Sequence, residues 1–245
     1  MKGLSFIPEM ARAALAGTKT NTRRVIVPQP DTRKFQYDRV EQVGKWFHIL
    51  ADKPQTVMHT VTCDYQAGER RCLITTWAVA NGWDGLKPSE VPANIILFWH
   101  AGMGEKPPGF GKSRPGRFLP NHLRHLMPVF EIVNVRAERV QAISTADIEA
   151  EGVTYPVAAK GCPPGKVKPL LRITGKFPPG DYMPCIAGSK HMDMEQMNHD
   201  TLLRAHWASL WDTINANRGP GKAKKGYGWS FNPWVWRVEF RKITT

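Results

Sequence analysis

Apolar and polar positions along this chain fall into short runs, most with the period of a strand. Leu4 to Phe6 reads as a first strand, and Pro8 stands where the first turn of a helix tolerates proline. Met10, Ala11, Ala14 and Leu15 then give a small apolar helix face, with Gly17 placed to end it in a left-handed turn. Val25-Ile26-Val27 reads as a strand stopped by Pro28 and Pro30. Residues 31–55 are poorly periodic and suggest an insertion with a short helix around Glu41–Leu50. Thr56–Cys63 and Arg71–Trp77 read as strands joined through Gln66-Ala67-Gly68, and Ala93–Trp99 as a third.

The second half contrasts one long β-prone run with two helices of unequal strength. Val129–Val140 is the β run. Ser144 followed by Asp147 is a capping-box-like start to a short helix ending near Gly152. Asp200 opens the strongest helix, on which Leu203, Trp207, Leu210, Trp211 and Ile214 form one stripe before Asn217 and Gly219. Trp234, Trp236, Val238 and Phe240 alternate with Val235, Arg237, Glu239 and Arg241, the period-two pattern of a half-buried strand. Gly and Pro crowd residues 101–117, an exposed loop, while 155–198 shows no period and reads as an extended insertion. No internal repeat is apparent. Many strands, few helices and frequent turns point to an α+β fold built on a small β-barrel. With sheet-like segments at both ends and no dividing linker, one domain over 1–245 is expected.

Composition narrows the class. At 42% hydrophobic and 22% charged residues the chain is globular rather than disordered. Its longest apolar run, Val91 to Trp99, is about half the ~18–20 residues a membrane helix needs. The start Met1-Lys2-Gly3-Leu4 has no signal-peptide character. Cys63, Cys72, Cys162 and Cys185 are irregularly spaced and form no C-x-x-C pair, so they suggest neither a disulfide framework nor an oxidising compartment. Cys162, Cys185 and His191 match no common zinc spacing, and no metal or cofactor is expected. These features together read as cytoplasmic.

Charge changes the picture more. With 34 Lys+Arg against 21 Asp+Glu, the net charge of +13 attracts polyanions, nucleic acid foremost. The cations cluster at Lys19, Arg23 and Arg24, at Lys112, Arg114 and Arg117, and at Lys222, Lys224 and Lys225. Gly111-Lys112-Ser113 has the look of a phosphate loop, but Lys106 stands where the Walker pattern needs Gly, and an NTPase is excluded.

The segment with most chemistry is Gly17-Thr18-Lys19-Thr20-Asn21-Thr22-Arg23-Arg24. If extended, it sends Thr20 and Thr22 to one face and Lys19, Asn21 and Arg23 to the other; a tight turn at Gly17–Lys19 would instead bring Lys19 to Thr22. A threonine hydroxyl needs an adjacent base to act as a nucleophile, and a lysine serves when desolvation or nearby cations lower its pKa. The plain alternative is a solvated loop whose threonines satisfy backbone groups.

This segment resembles the G-x-K-T-x-T-x-R signature of ASCH domains, a family with a PUA-like β-barrel fold. Further likenesses follow in order. Gly68 to Ala78 is similar to a strand that phage-encoded ASCH-like proteins write as G-D-x-L-W-V-R-E-T-W-A; Gly116 to Pro120 and Val133 to Gly152 resemble that group's central strand and helix. Trp211 to Asn215, Gly226 to Trp229 and Asn232 to Trp236 resemble its C-terminal pattern. About half the chain is covered, leaving insertions at about 31–60, 83–112 and 155–198. The resemblance implies a phage or prophage protein working in a bacterial host cell.

It further implies RNA, DNA or a modified nucleoside as partner. Some bacterial ASCH members are amidohydrolases that remove the acetyl group from N4-acetylcytidine; others are reported as ribonucleases. The deacetylating members use a Lys, a Thr and a later Glu, which fall here on Lys19, Thr22 and Glu151. Threonine would attack the acetyl carbonyl, lysine would take its proton and glutamate would protonate the leaving amine. Ile74 and Thr75 stand where phage relatives have Arg-Glu, a departure that bears on ligand orientation. Thr20, Arg23 and Arg24 are further ligand-binding candidates. So are Trp77, to stack a base, and Trp229 beside Lys222, Lys224 and Lys225, to hold single-stranded nucleic acid. Two other readings stand beside the hydrolase: a noncatalytic RNA- or DNA-binding accessory protein, and a ribonuclease.

Overall fold

The structure, a computed structural model, describes residues 1–29, 37–43, 46–51, 59–101, 105–153, 199–218 and 226–243. Within these the fold is mixed α+β with a mostly sheet core. The strands are β1 (Gly3–Ser5), β2 (Asn21–Val25), β3 (Tyr37–Val43), β4 (Trp46–Ala51), β5 (His59–Thr62), β6 (Arg70–Ile74), β7 (Trp77–Ala78), β8 (Phe98–Trp99), β9 (Val129–Arg139) and β10 (Trp234–Lys242). The helices are α1 (Pro8–Leu15), α2 (Thr145–Ala150) and α3 (His199–Asn215). The principal sheet has the order β1-β6-β9-β10-β2; β3-β4-β5 and β7-β8 form two smaller ones. Among the described residues the principal sheet is open, with β1 and β2 at its edges.

The chain divides into two compact units. The first comprises Met1–Thr20, Tyr65–Asn134 and Glu239–Thr245; the second comprises Asn21–Asp64 and Val135–Val238. In the first, β1 runs parallel to β6 with Leu4 opposite Leu73, and β6 runs antiparallel to β9 with Arg71 opposite Phe130. Leu4, Leu73 and Phe130 are fully buried, and Phe130 meets Phe240 edge-on at 5.4 Å. A second apolar cluster packs Cys72, Ile74, Trp77, Val79, Val91, Leu97, Leu119, Leu123 and Met127. The α1 helix starts at Pro8 as expected, and Gly17, at φ +77°, takes the left-handed position just beyond its end that a side chain disfavours.

The second unit shows where the hydrophobic pattern misleads. The helix expected around Glu41–Leu50 is instead the hairpin of β3 and β4, with Val43 opposite Trp46 and Glu41 opposite His48. Trp46-Phe47-His48-Ile49 is a run of aromatic and β-branched residues that suits a pleated surface, and Gly44 lies where a helix would have its interior. Tertiary packing completes the preference, because Phe47 meets Trp236 at 4.5 Å. The α3 helix buries Leu203, Trp207, Leu210 and Trp211, the stripe the pattern gives. Along β10, Trp234, Trp236, Val238 and Phe240 are buried, with Val235 buried as well. The strand expected at Ala93–Trp99 shrinks to its last two residues, and the one expected at Val25–Val27 begins four residues earlier, inside the polar signature. Residues 155–198 lie outside the described residues.

Candidate functional site

The polar segment after α1 becomes the strand β2, and strand alternation sorts its side chains. Asn21 and Arg23 share a face, as both reach Asp147: Asn21 donates from Nδ2 to Oδ1 at 3.4 Å, and Arg23 donates from Nη2 to Oδ2 at 3.0 Å. Thr22, between them, belongs to the opposite face. Both faces are covered, since Asn21, Thr22 and Arg23 are all buried.

Two other elements bring acids to Arg23. In α2, the Ser144 hydroxyl caps the helix by accepting the Asp147 N–H at 3.1 Å, which fixes Asp147 in the first turn. Glu151 follows four residues on, so the two carboxylates lie on one helix face. From β9, Glu138 supplies the third. Arg23 donates from Nε to Glu138 Oε1 at 2.8 Å and from Nη1 to Glu151 Oε1 at 3.3 Å. Its side chain has no exposed surface.

Two further arginines complete the cluster. Arg237 on β10 donates from Nη2 and Nε to Asp147 Oδ1 at 2.6 and 3.1 Å. Arg136, half exposed, donates from Nε to Glu138 Oε2 at 2.8 Å and lies 3.4 Å from Asp147 Oδ2. Three carboxylates and three guanidiniums thus meet among the described residues. Burial alone would raise the Asp147 carboxyl; the Arg237 hydrogen bond and the Arg23 charge outweigh it and hold the group below its ordinary value. The Arg23 guanidinium contacts all three of these acids. Among the described residues no group of three or more His, Cys, Asp or Glu is arranged to hold a metal ion.

The residues singled out in the sequence have distinct fates. Lys19, in the first unit, is 1% exposed, with Nζ 5.4 Å from the centre of the Phe6 ring. In the second unit Glu151 is 1% and Thr22 5% exposed. Glu151 contacts Arg23, whose side chain alternation places on the strand face away from Thr22. Thr20 is exposed and Arg24 partly buried. Trp77 is wholly buried in the second apolar cluster of its unit, with Arg114 over its ring at 5.2 Å, so it has no face open to a stacked base. Trp229 is half-buried; its N–H donates to Asp212 and its carbonyl accepts from Gln141. Lys222, Lys224 and Lys225 lie outside the described residues.

Sequence reasoning missed Glu138, Arg136 and Arg237 as members of the cluster and read Asp147 only as a capping residue. The signal that could have found them was alternation: Arg136 and Glu138 share one face of β9 by spacing, and Arg237 stands between the buried Trp236 and Val238 on β10. The chain matches no protein-family model, no curated protein and no solved structure.

Proposed function

We propose that this chain is an ASCH-like protein of the PUA-like type that binds nucleic acid or a modified nucleoside, and that it removes the acetyl group from N4-acetylcytidine-type substrates. One observation carries the reading: the polar signature is not a solvated loop. Lys19, Asn21, Thr22, Arg23 and the later Glu151 are each at most 5% exposed. Burying such groups costs free energy unless each is satisfied, which is why buried ionisable clusters are enriched at functional sites.

In the proposed reaction the Thr22 Oγ attacks the acetyl carbonyl carbon while Lys19 takes the hydroxyl proton. Collapse of the tetrahedral intermediate breaks the bond to N4, and the proton taken by Lys19 passes through the Glu151 carboxylate to the leaving amine. Water then hydrolyses the acyl-threonine ester, releasing acetate and restoring the hydroxyl. Purified protein incubated with N4-acetylcytidine should release cytidine, and Thr22→Val should abolish that release while leaving ligand binding. No turnover by the unaltered protein would remove the hydrolase reading.

A second reading has its own support. Strand alternation sends Thr22 and the Arg23–Glu151 pair to opposite faces of β2, which favours a noncatalytic nucleic-acid-binding protein. In that case unaltered protein and Thr22→Val bind RNA or DNA alike, and neither releases acetate.

A further inference from the structure

Residues 83–112, one of the stretches without family likeness, run into a loop that carries cations no carboxylate neutralises. Its geometry in the first unit is fixed by short ties. Asp84 Oδ1 accepts the Lys112 N–H at 3.0 Å, and the Asp84 carbonyl accepts from Arg114 Nη2 at 2.7 Å. Lys106 Nζ donates to the Gly111 carbonyl at 2.6 Å, and His100 Nε2 pairs with the Ser113 hydroxyl at 2.8 Å. Arg114 is thereby committed to Asp84 and to the Trp77 ring. Lys106 is tied to a carbonyl and, among the described residues, to no carboxylate. Lys112 and Arg117 are exposed, and among the described residues neither has a carboxylate partner; the same holds for exposed Arg12.

Aromatic rings interleave with the charges. Arg117 lies 4.7 Å from the centre of the Phe118 ring, and Phe118 is 49% exposed. Trp83, next to Asp84, is 41% exposed. Exposed rings among unneutralised cations are what an unstacked polynucleotide engages, phosphates on the charges and bases on the rings.

We infer that the surface formed by Lys106, Lys112 and Arg117, with Trp83 and Phe118, is a docking face for single-stranded nucleic acid. This rests on the proposed polyanion partner but not on the acetyl chemistry. It gives the exposed rings of Trp83 and Phe118 the role that buried Trp77 cannot take. A single strand is favoured over a duplex because the rings need splayed bases.

The test is fluorescence anisotropy of labelled oligouridylate, oligothymidylate and a duplex of equal length, measured against salt with the full chain. Unaltered protein should bind the single strands more tightly than the duplex, and the stronger of the two single strands identifies RNA or DNA. K106E/K112E/R117E should lower the magnitude of the salt slope by about 2, at ~0.7 for each phosphate that is no longer neutralised. K112E/R117E, which leaves the Lys106 tie intact, should move the slope the same way by a smaller amount. Phe118→Ala should weaken single-strand binding about tenfold, within the range for one stacked base. If unaltered protein binds but the charge variants keep its slope, the docking face is wrong while the proposed function stands. If it binds no polynucleotide yet releases acetate from free N4-acetylcytidine, the docking face is again wrong and the substrate is a nucleoside.

Discussion

Replacing Arg23 by Met removes the cation that touches Glu138, Asp147 and Glu151. The side chain is of similar length, so the principal change is the charge and its hydrogen bonds. Arg23 has no exposed side-chain surface, Glu151 has 2%, and Glu138 and Asp147 have 11% each. Glu138 retains Arg136, and Asp147 retains Arg237 and Arg136. All three acids lose their contact with Arg23, and Glu151 is the most deeply buried of them. Breaking a buried ion pair by removing one partner costs about 3–5 kcal/mol, a large part of the ~5–15 kcal/mol that holds a typical domain folded. Urea unfolding followed by tryptophan fluorescence would read this as a midpoint lowered by about 1–2 M. Adding Glu151→Gln to Arg23→Met should recover part of that loss, because one of the three carboxylates that Arg23 compensates is then uncharged. A loss below about 1 kcal/mol for Arg23→Met, with no recovery in the double variant, would refute a buried charge hub.

Three further outcomes follow from particular contacts. The Asp147 carboxyl is lowered in the folded protein, so its contribution to stability is present above the unfolded value of ~3.9 and is lost as pH falls through the folded value. Acid titration of unfolding should show that loss below about pH 4, and Asp147→Asn should flatten it; an unchanged acid limb would contradict the pairing with Arg237 and Arg23. Ser144→Ala removes the hydroxyl that caps α2 and should cost about 1 kcal/mol in thermal or urea unfolding. At Gly116 an added Cβ would lie 2.9 Å from the Thr75 carbonyl oxygen and 2.8 Å from Ile74 Cγ2, so Gly116→Ala should destabilise by about 1–3 kcal/mol, and a neutral result would show that the segment shifts freely.

Elements with one strong period were legible from the chain alone. The tryptophan stripe of α3 and the alternation of β10 needed only the spacing of large apolar residues, and α2 was marked by Ser144 and Asp147. The β3–β4 hairpin was not, since its side chains suit a strand only once β5 pairs with β4 and Trp236 meets Phe47. At the candidate site, burial of the Lys19–Arg23 segment exceeded what its polar composition suggests, because the partners that make burial tolerable are more than a hundred residues away. Trp77 failed as a stacking platform for the converse reason. A tryptophan beside threonines reads as surface in the sequence, and only packing reveals that Val79, Leu97 and Leu119 join it in an apolar cluster.

The most direct measurement is acetate release from N4-acetylcytidine by unaltered protein, Thr22→Val and Lys19→Met, with nucleoside binding followed in parallel. A deacetylase built on the buried signature turns over only as the unaltered chain, while the variants still bind the nucleoside. Binding by all three without any acetate would contradict the chemistry and leave a nucleic-acid-binding protein.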